Sequence, residues 1–308
     1  MLTRRAVVLA LVVEGFVYLG MGIVVADVRA HKHVEEEHGV NARGFRGTLT
    51  IHKTPAERRV AIVGGTAAYG YAVDWGTSLG PALQNRLEQG WRRKHRVGEV
   101  ITVINLAEPG AGAASYAGTL RHYSYLAPDV VCIYDGYAAP ESTAPLGRDR
   151  SFVFRKAGYL PILDDLLRER ASWSVPPAGV DPELQDRNDA VNDAAHNPSC
   201  EGPSAAYCAA MEETVSWGLT QGMSVVVAVP PYVSARHRLQ QESLAAALAR
   251  RFGSSPRFQY VAVDGSVDLA NRGLTSDGVN LNASGYEAVA DRIVDPIFDA
   301  VHQMTSAR

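Results

Sequence analysis

The sequence has no surplus of basic charge. Its 30 lysines and arginines are outweighed by 33 aspartates and glutamates, giving a formal net charge of −3. Nucleic acid is not expected as a partner, because the phosphate backbone is attracted by a basic field that this chain lacks. The 308-residue chain also lacks an internal repeat, and its 46% hydrophobic and 20% charged residues predict a sizeable buried core rather than disorder.

Cysteine is scarce, with three residues. Cys200 and Cys208 are near neighbours in a loop-like stretch, and a disulfide between them is expected if that stretch is exported. Cys132 lies inside an apolar run that is typical of a strand, so we expect it to be buried and unpaired.

Residues Ala6 to Ala26 form a long hydrophobic run. About 21 apolar residues suffice to cross a hydrocarbon core of roughly 30 Å as a helix, which predicts a transmembrane anchor over residues 1–28. A cleaved signal peptide is the alternative, because Arg4 and Arg5 form a basic leader and a small residue ends the run. Signal cores are usually shorter, at about 7 to 15 residues.

Basic residues flank this run on both sides. Arg4 and Arg5 precede it and favour a cytoplasmic N-terminus under the positive-inside rule, although Arg29 and Lys32 follow it. This predicts a single-pass protein of the cell (inner) membrane, with the remaining chain on the periplasmic, extracytoplasmic side.

An acidic residue, Glu14, lies in the middle of the predicted span. An acidic side chain there costs roughly 2.5 to 3.5 kcal/mol on insertion scales, and such residues usually face a partner helix or a cavity. We therefore expect an integral-membrane protein partner that contacts Glu14. A protonated glutamate tolerated by a sufficiently apolar helix is the alternative.

The stretch 29–58 is predicted to be a solvated juxtamembrane linker. His31, His33 and His38 surround the acidic run Glu35–Glu37, and these are metal-ligand types without a defined coordination geometry. We predict no metal site and no cofactor.

Residues 59–308 alternate short apolar runs with helical patterns, which predicts an α/β domain. Nearly all-apolar strands are typical of a parallel sheet covered on both faces, so the expected architecture is a three-layer α/β/α sandwich with five parallel strands. The stretch 172–204, rich in Pro, Gly, Asp and Asn, is predicted to be a loop insertion.

The predicted strands are Val60–Val63, Ile101–Ile104, Val130–Tyr134, Ser224–Val229 and Tyr260–Val263. The predicted helices are Pro81–Lys94, Ala113–Tyr125, Leu160–Arg170, Ala205–Gln221, His237–Arg251 and Ser284 to about Gln303. Ser284 is the expected N-cap of the last helix, with Glu287 completing a capping box.

Four loops follow the predicted strands or precede the last helix: Gly64–Gly70, Asn105–Gly110, Asp135–Ala139 and Asp277–Leu281. In this order they resemble the four conserved blocks of the SGNH (GDSL-type) hydrolases. The resemblance covers residues 59 to 308 and implies a flavodoxin-like sheet, with the functional loops at the carboxyl ends of its strands.

The resemblance also implies which residues stand at the catalytic positions. Thr66 occupies the place of the nucleophilic serine, Gly110 that of an oxyanion-hole N–H donor, and Ala138 that of an asparagine donor. Asp277 is retained, but the histidine base has become Asn280. An amide does not take a proton from a hydroxyl at neutral pH, and loss of a triad base costs on the order of 10⁶ in kcat, which predicts a degenerate, inactive hydrolase.

Two histidines are candidates for a substitute base, namely His196 in the insertion and His237 after the fourth strand. A surface histidine without catalytic role is the alternative for each. Five aromatic residues follow the strands at the same edge and either line a ligand cleft or pack under the loops: Tyr69, Trp75, Tyr134, Tyr137 and Tyr232.

Three functions are compatible with these patterns. The first is a membrane-anchored, non-catalytic SGNH-like module with a structural or binding role, such as an accessory subunit of a respiratory or photosynthetic complex. The second is a cell-envelope ester hydrolase or acyl transferase that acts on acylated glycan or lipid with a rearranged catalytic set. The third is a glycan-binding protein that kept the cleft without the chemistry.

Overall fold

The computed structural model describes residues 4–49, 52–70, 73–94, 100–135, 151–163, 200, 205–233, 235–263 and 265–306. The helices are α1 (Arg4–His38), α2 (Thr66–Tyr69), α3 (Leu79–Lys94), α4 (Ala113–His122), α5 (Phe152–Ala157), α6 (Ala205–Thr220), α7 (Ala235–Phe252) and α8 (Ala283–Ser306), with short 3-10 turns at Trp75–Thr77 and Ser124–Leu126. The strands are β1 (Glu57–Val63), β2 (Val100–Asn105), β3 (Val130–Tyr134), β4 (Ser224–Val229) and β5 (Phe258–Ala262).

The five strands form one parallel sheet in the order β2-β1-β3-β4-β5. Every residue of β3 and β4 is buried, because helices cover both faces of a parallel sheet. One core cluster lies on the side of α3 and α8, and the other lies on the side of α4, α6 and α7. The predicted three-layer α/β architecture is confirmed, and the order of the strands is that of flavodoxin-like folds.

Helix α1 is 35 residues long, or about 52 Å at 1.5 Å per residue. Among the described residues it alone has the length and apolar composition to cross a membrane, and none of its apolar window is buried. Phe16 is 70% exposed and Tyr18, on the opposite side of the helix, is 61% exposed. A helix that is apolar all round suits a hydrocarbon environment.

The linker expected at 29–58 differs in the structure. Residues 29–38 continue α1, and β1 begins at Glu57. His31 is buried, and its Nε2 donates a hydrogen bond to the carbonyl oxygen of Leu160. The first part of this stretch therefore packs on the domain, because the helix extends past the apolar run and carries side chains that find partners there.

Asp27 fixes this part of α1 to the domain. Its Oδ1 atom accepts hydrogen bonds from the backbone N–H groups of Ile162 (3.0 Å) and Leu163 (2.8 Å), and its Oδ2 atom accepts one from the Tyr159 hydroxyl. Burial, together with the bond to Asp27, raises the pKa of the Tyr159 phenol above its usual range. The end of the apolar run is thus joined to the domain by three hydrogen bonds to a buried carboxylate.

The helices differ from the sequence prediction at one boundary and by one additional helix, and two predicted segments lie mostly outside the described residues. The N-cap of α8 is Asn282, whose Oδ1 accepts from Gly285 N at 3.1 Å, so Ser284 already lies inside the helix. Helix α5 was not predicted from the sequence. Most of the helix predicted at 160–170 and of the insertion predicted at 172–204 lies outside the described residues.

Replacing Asp27 with alanine should loosen α1 from the domain. The change leaves two backbone N–H groups and one phenol without their acceptor, which should lower the free energy of unfolding by about 1–3 kcal/mol. Thermal and denaturant unfolding of the detergent-solubilised protein, followed by near-UV circular dichroism, measures the loss.

The matched control is Glu36→Ala, which removes an exposed carboxylate from the same helix and should change stability little. Equal stabilities of the Asp27→Ala and Glu36→Ala proteins would contradict the structural role of Asp27.

Candidate functional site

The first two predicted motif loops meet at the carboxyl edge of the sheet. Thr66 is the first residue of α2, directly after β1. Gly64 precedes it at a point where any Cβ would collide with the carbonyl oxygen of Tyr134 at the end of β3. The β1 and β3 loops therefore meet closely, and only glycine fits at this contact. In flavodoxin-like sheets this is the switch point at which ligands bind.

Two side chains hold α2 in place from different elements. Asn105, fully buried at the end of β2, donates from Nδ2 to the carbonyl oxygen of Ala68 at 2.8 Å. The hydroxyl of Tyr286 in α8 donates to the carbonyl oxygen of Ala67 at 2.8 Å. The short helix that carries Thr66 is thus fixed to both the sheet and the last helix.

The Thr66 hydroxyl contacts the second motif loop. Its Oγ1 accepts a hydrogen bond from the backbone N–H of Gly110 at 3.1 Å. Gly110 has a φ of 75°, a conformation that favours glycine. The structure thus joins the residue at the family's nucleophile position to the N–H at its oxyanion position.

Both carboxylate oxygens of Asp277 accept hydrogen bonds from residues 279 and 280. Its Oδ1 accepts from the backbone N–H groups of Val279 (2.9 Å) and Asn280 (2.7 Å), and its Oδ2 accepts from the Asn280 side-chain amide at 2.6 Å. Partial burial alone would raise the pKa of this carboxyl, but the bonds from Asn280 and Val279 outweigh it and hold the pKa below its ordinary value. Asp277 is therefore an ionised hydrogen-bond acceptor at neutral pH.

The amide of Asn280 takes the place in which a histidine would use one ring nitrogen to bond the aspartate. A histidine in that arrangement keeps its second nitrogen available as a base. The asparagine amide donates to Asp277 in the same way, but its other atom is a carbonyl oxygen, which does not accept a proton at neutral pH. The Asn280 amide and the Asp277 carboxylate thus form a hydrogen-bonded pair in which neither group is a base towards a hydroxyl at neutral pH.

His237, one of the two candidate substitute bases, is 2% exposed, so the surface alternative is wrong for it. Its Nδ1 accepts from Val233 N at 3.3 Å, and its ring lies edge-on to Tyr232 with centroids 5.7 Å apart. His237 lies in the first turn of α7, which follows β4, whereas Thr66 follows β1. Strand β3 lies between β4 and β1, so the ends of these two strands are two strand spacings, or about 10 Å, apart.

Several predicted positions lie outside the described residues. These are Ala138, at the asparagine donor position, Tyr137 beside it, and His196 in the insertion. Among the residues that the structure does describe, no group of three or more His, Cys, Asp or Glu side chains could hold a metal ion.

A buried arginine was not recognised in the sequence. Arg46 is 3% exposed, donates from Nε to the His38 carbonyl oxygen at 2.8 Å, and donates from Nη1 to the Tyr69 carbonyl oxygen. Its guanidinium lies 3.8 Å from the centroid of the Tyr69 ring and 5.2 Å from that of Trp75. Tyr69 and Trp75 therefore pack on Arg46. The sequence had left open whether these aromatic residues pack in this way or line a ligand cleft.

A second polar cluster lies on the other side of the sheet and was also missed. Asp135 follows β3 and is 4% exposed. Burial is the main cause of the high pKa of both Tyr116 and Tyr207, and the nearby Asp135 carboxylate, which bonds to each, adds to it. Tyr207 also accepts from Gln241 Nε2 at 3.2 Å. The side chains of three helices thus converge on the end of the central strand, with both phenols protonated.

The cysteines take the expected places. Cys200 and Cys208 form a disulfide with Cα atoms 5.8 Å apart, and Cys132 is buried in β3. Burial raises the pKa of the Cys132 thiol to about 12, so this thiol is protonated and shielded at neutral pH.

Comparison with known proteins finds no matching family model and no matching curated protein. Several solved structures are similar. Three of them are a family 3 carbohydrate esterase from Clostridium thermocellum (13% identity, TM-score 0.47, 80% of this chain and 98% of that one), the esterase EstA from Pseudoalteromonas sp. (12%, 0.44, 78% and 96%) and a GDSL-like lipase from Bacteroides thetaiotaomicron (12%, 0.43, 82% and 93%).

At these identities the likeness assigns no activity and no substrate to this chain. The chain's own sheet order, and the motif loops at the carboxyl edge of that sheet, agree with the resemblance drawn from the sequence. The domain that follows α1 therefore has an SGNH-hydrolase-like α/β fold.

Proposed function

We propose that this protein is a membrane-anchored, non-catalytic member of the SGNH-like fold that serves as a structural or binding subunit of a larger membrane complex. The observation that carries the proposal is the 2.6 Å hydrogen bond from the Asn280 amide to Asp277. An active hydrolase of this kind would have an aspartate–histidine pair at this position. This chain has a carboxylate and an amide, which do not exchange a proton at neutral pH.

The absence of a base next to Thr66 would prevent its hydroxyl from acting as a nucleophile. A threonine hydroxyl attacks an acyl carbon only when a neighbouring base takes its proton. Both oxygens of Asp277 accept hydrogen bonds from residues 279 and 280, and its lowered pKa makes it a weak base. His237 belongs to a different part of the edge, and its Nδ1 already accepts from Val233.

One observation favours an enzyme instead. The Thr66 hydroxyl lies 3.1 Å from the Gly110 N–H, so a donor for the oxyanion that develops on an acyl substrate would stand next to the attacking oxygen. The second candidate function is therefore a cell-envelope ester hydrolase or acyl transferase that acts on acylated glycan or lipid, with a base supplied from elsewhere in the chain.

The disulfide supports an extracytoplasmic position for the domain. Structural disulfides persist in oxidising compartments and are rare in the cytosol, and Cys200–Cys208 joins the first turn of α6 to the preceding segment. Together with Arg4 and Arg5 before the apolar run, it supports a single-pass topology with the domain on the periplasmic side of the inner membrane.

The partner proposal rests on Glu14. Within α1 its Oε1 accepts from the Tyr18 hydroxyl at 3.2 Å, and residues four apart share a helix face, so Glu14, Tyr18 and Gly22 are aligned. Glycine allows close approach of a second helix in a membrane, and a Cβ at Gly22 would meet no atom within 4 Å. This face suits an integral-membrane partner that completes the hydrogen bonding of Glu14.

The purified full-length protein in mild detergent should not hydrolyse p-nitrophenyl acetate above background. Because the proposal leaves Thr66 without a base, Thr66→Ala should have the same rate as the parent. The control is Thr220→Ala, whose hydroxyl only bonds its own helix at Ser216. A rate that falls at least tenfold in Thr66→Ala and not in Thr220→Ala would contradict the proposal and favour the enzyme.

Purification from native membranes tests the partner. The tagged protein should carry a stoichiometric integral-membrane protein, and Glu14→Leu should reduce its recovery at least tenfold by removing the polar contact. Phe16→Leu, two residues along and so on the opposite face, should retain the partner. Recovery that is unaffected by Glu14→Leu, or the absence of any stoichiometric partner, would argue against this interface.

A further inference from the structure

Helix α5 presents an exposed apolar and basic surface, which we call the α5 patch and define as Phe152, Val153, Arg155 and Lys156. Phe152 is 65% exposed and Val153 is 43% exposed, the two basic side chains are also exposed, and Phe154 between them is buried. A phenylalanine exposed to this degree beside a second apolar side chain is typical of an interaction site when polar residues flank it.

The domain holds this patch firmly. The ring of Phe154 stacks on His122 with centroids 4.8 Å apart, and Ser151 caps the helix by accepting from Phe154 N at 3.2 Å. At the other end, Arg43 donates to the carbonyl oxygens of Ala157 and Gly158, both at 3.2 Å. The outward position of Phe152 and Val153 is therefore set by packing on the inner side of α5.

The exposed charges of this segment are basic, whereas the Asp27 carboxylate that binds residues 159–163 is buried. Residues 151–163 contain Arg155 and Lys156 and no aspartate or glutamate, and the guanidinium of Arg43 adds a third positive charge at the C-terminal end of α5. Clustered basic residues next to exposed apolar ones fit a surface that carries negative charge over an apolar interior, which is the composition of an anionic lipid leaflet.

The position of α5 relative to the membrane follows from α1. Asp27 directly follows the apolar run and binds residues 159–163, while His31, about 6 Å further along the helix, binds Leu160. Ala157 precedes Leu160 by three residues and so lies within about 11 Å of it. The headgroup layer on each side of the hydrocarbon core is itself roughly 5–8 Å deep. The end of α5 is thus close enough for its side chains to reach lipid headgroups.

We propose that the α5 patch rests on the lipid surface of the membrane that α1 crosses. Phe152 and Val153 enter the boundary between headgroups and acyl chains, and Arg155 and Lys156 contact the phosphates of anionic lipids. The domain then has two contacts with the bilayer, the span and the patch, which fixes its tilt as well as its distance from the membrane. This inference depends on α1 spanning the membrane and not on the absence of catalysis.

The test uses the full-length protein in nanodiscs of phosphatidylcholine and phosphatidylglycerol, with a spin label on Phe152→Cys. The label is selective, because Cys132 is buried and Cys200 and Cys208 are bonded to each other. Power saturation compares collisions with oxygen, which concentrates in lipid, and with a water-soluble nickel chelate. The control label is Ala246→Cys, on the exposed face of α7 over the other end of the sheet.

The label at 152 should show a ratio of oxygen to nickel accessibility several-fold higher than the label at 246. Equal ratios would overturn the proposal. An immobilised label at 152 that is inaccessible to both reagents would also overturn it, since it would indicate a protein partner or a second copy on the patch.

A second comparison tests the role of charge. Neutralising Arg155 and Lys156 to glutamine in the Phe152→Cys protein should lower the ratio at 152 towards the control value, and discs of phosphatidylcholine alone should lower it for the parent. A ratio that stays unchanged in both conditions would overturn the contact with anionic lipid.

Discussion

The buried guanidinium of Arg46 joins helix α1, the Thr66 turn and the end of β2. It bonds the last carbonyl of α1 at His38 and the Tyr69 carbonyl beyond the Thr66 turn, and its own backbone pairs with Asn105 at the end of β2. Burial lowers the pKa of Arg46, but an arginine remains charged because its ordinary pKa is so high. The charge is tolerated because carbonyl oxygens and the faces of Tyr69 and Trp75 replace water around it.

The anchor therefore does not behave as a tether in this structure. Asp27 and His31 bind residues 159–163 on one side, and Arg46 closes the end of the helix on the other. Gly39 follows α1 at a φ of 71°, and any Cβ there would collide with the Trp75 ring. These contacts fix the direction in which the end of α1 leaves the domain.

The carboxyl edge of the sheet holds the turn that carries Thr66 in a fixed framework. Gly64, Asn105 and Tyr286 still hold the turn that carries Thr66, and Gly110 still directs its N–H to the hydroxyl. In the proposed function the base is what has changed, because Asn280 donates to Asp277 and offers only a carbonyl oxygen in return. The turn that carries Thr66 is stabilised by packing that is independent of proton transfer.

Local sequence patterns were sufficient for the parallel five-stranded sheet. Strands β3 and β4 have the predicted bounds, since an all-apolar run of five or six residues has few alternatives in a parallel sheet. The same patterns did not reveal the partners of Asp27 and His31, which lie about 130 positions away in the chain, or the burial of Arg46. The charged run at residues 35–37 suggested a solvated linker, although the helix simply continues through it to His38.

Covalent labelling of Thr66 tests most directly whether this protein lacks a catalytic base. The detergent-solubilised protein is incubated with a reactive alkyl fluorophosphonate, which modifies hydroxyl nucleophiles that are activated by a base, and its intact mass is measured before and after, with a peptide map across residue 66. If Asn280 has removed the base, the mass stays unchanged under conditions that modify a working serine esterase completely. A stoichiometric phosphonate adduct on Thr66 would show an activated nucleophile and contradict the account.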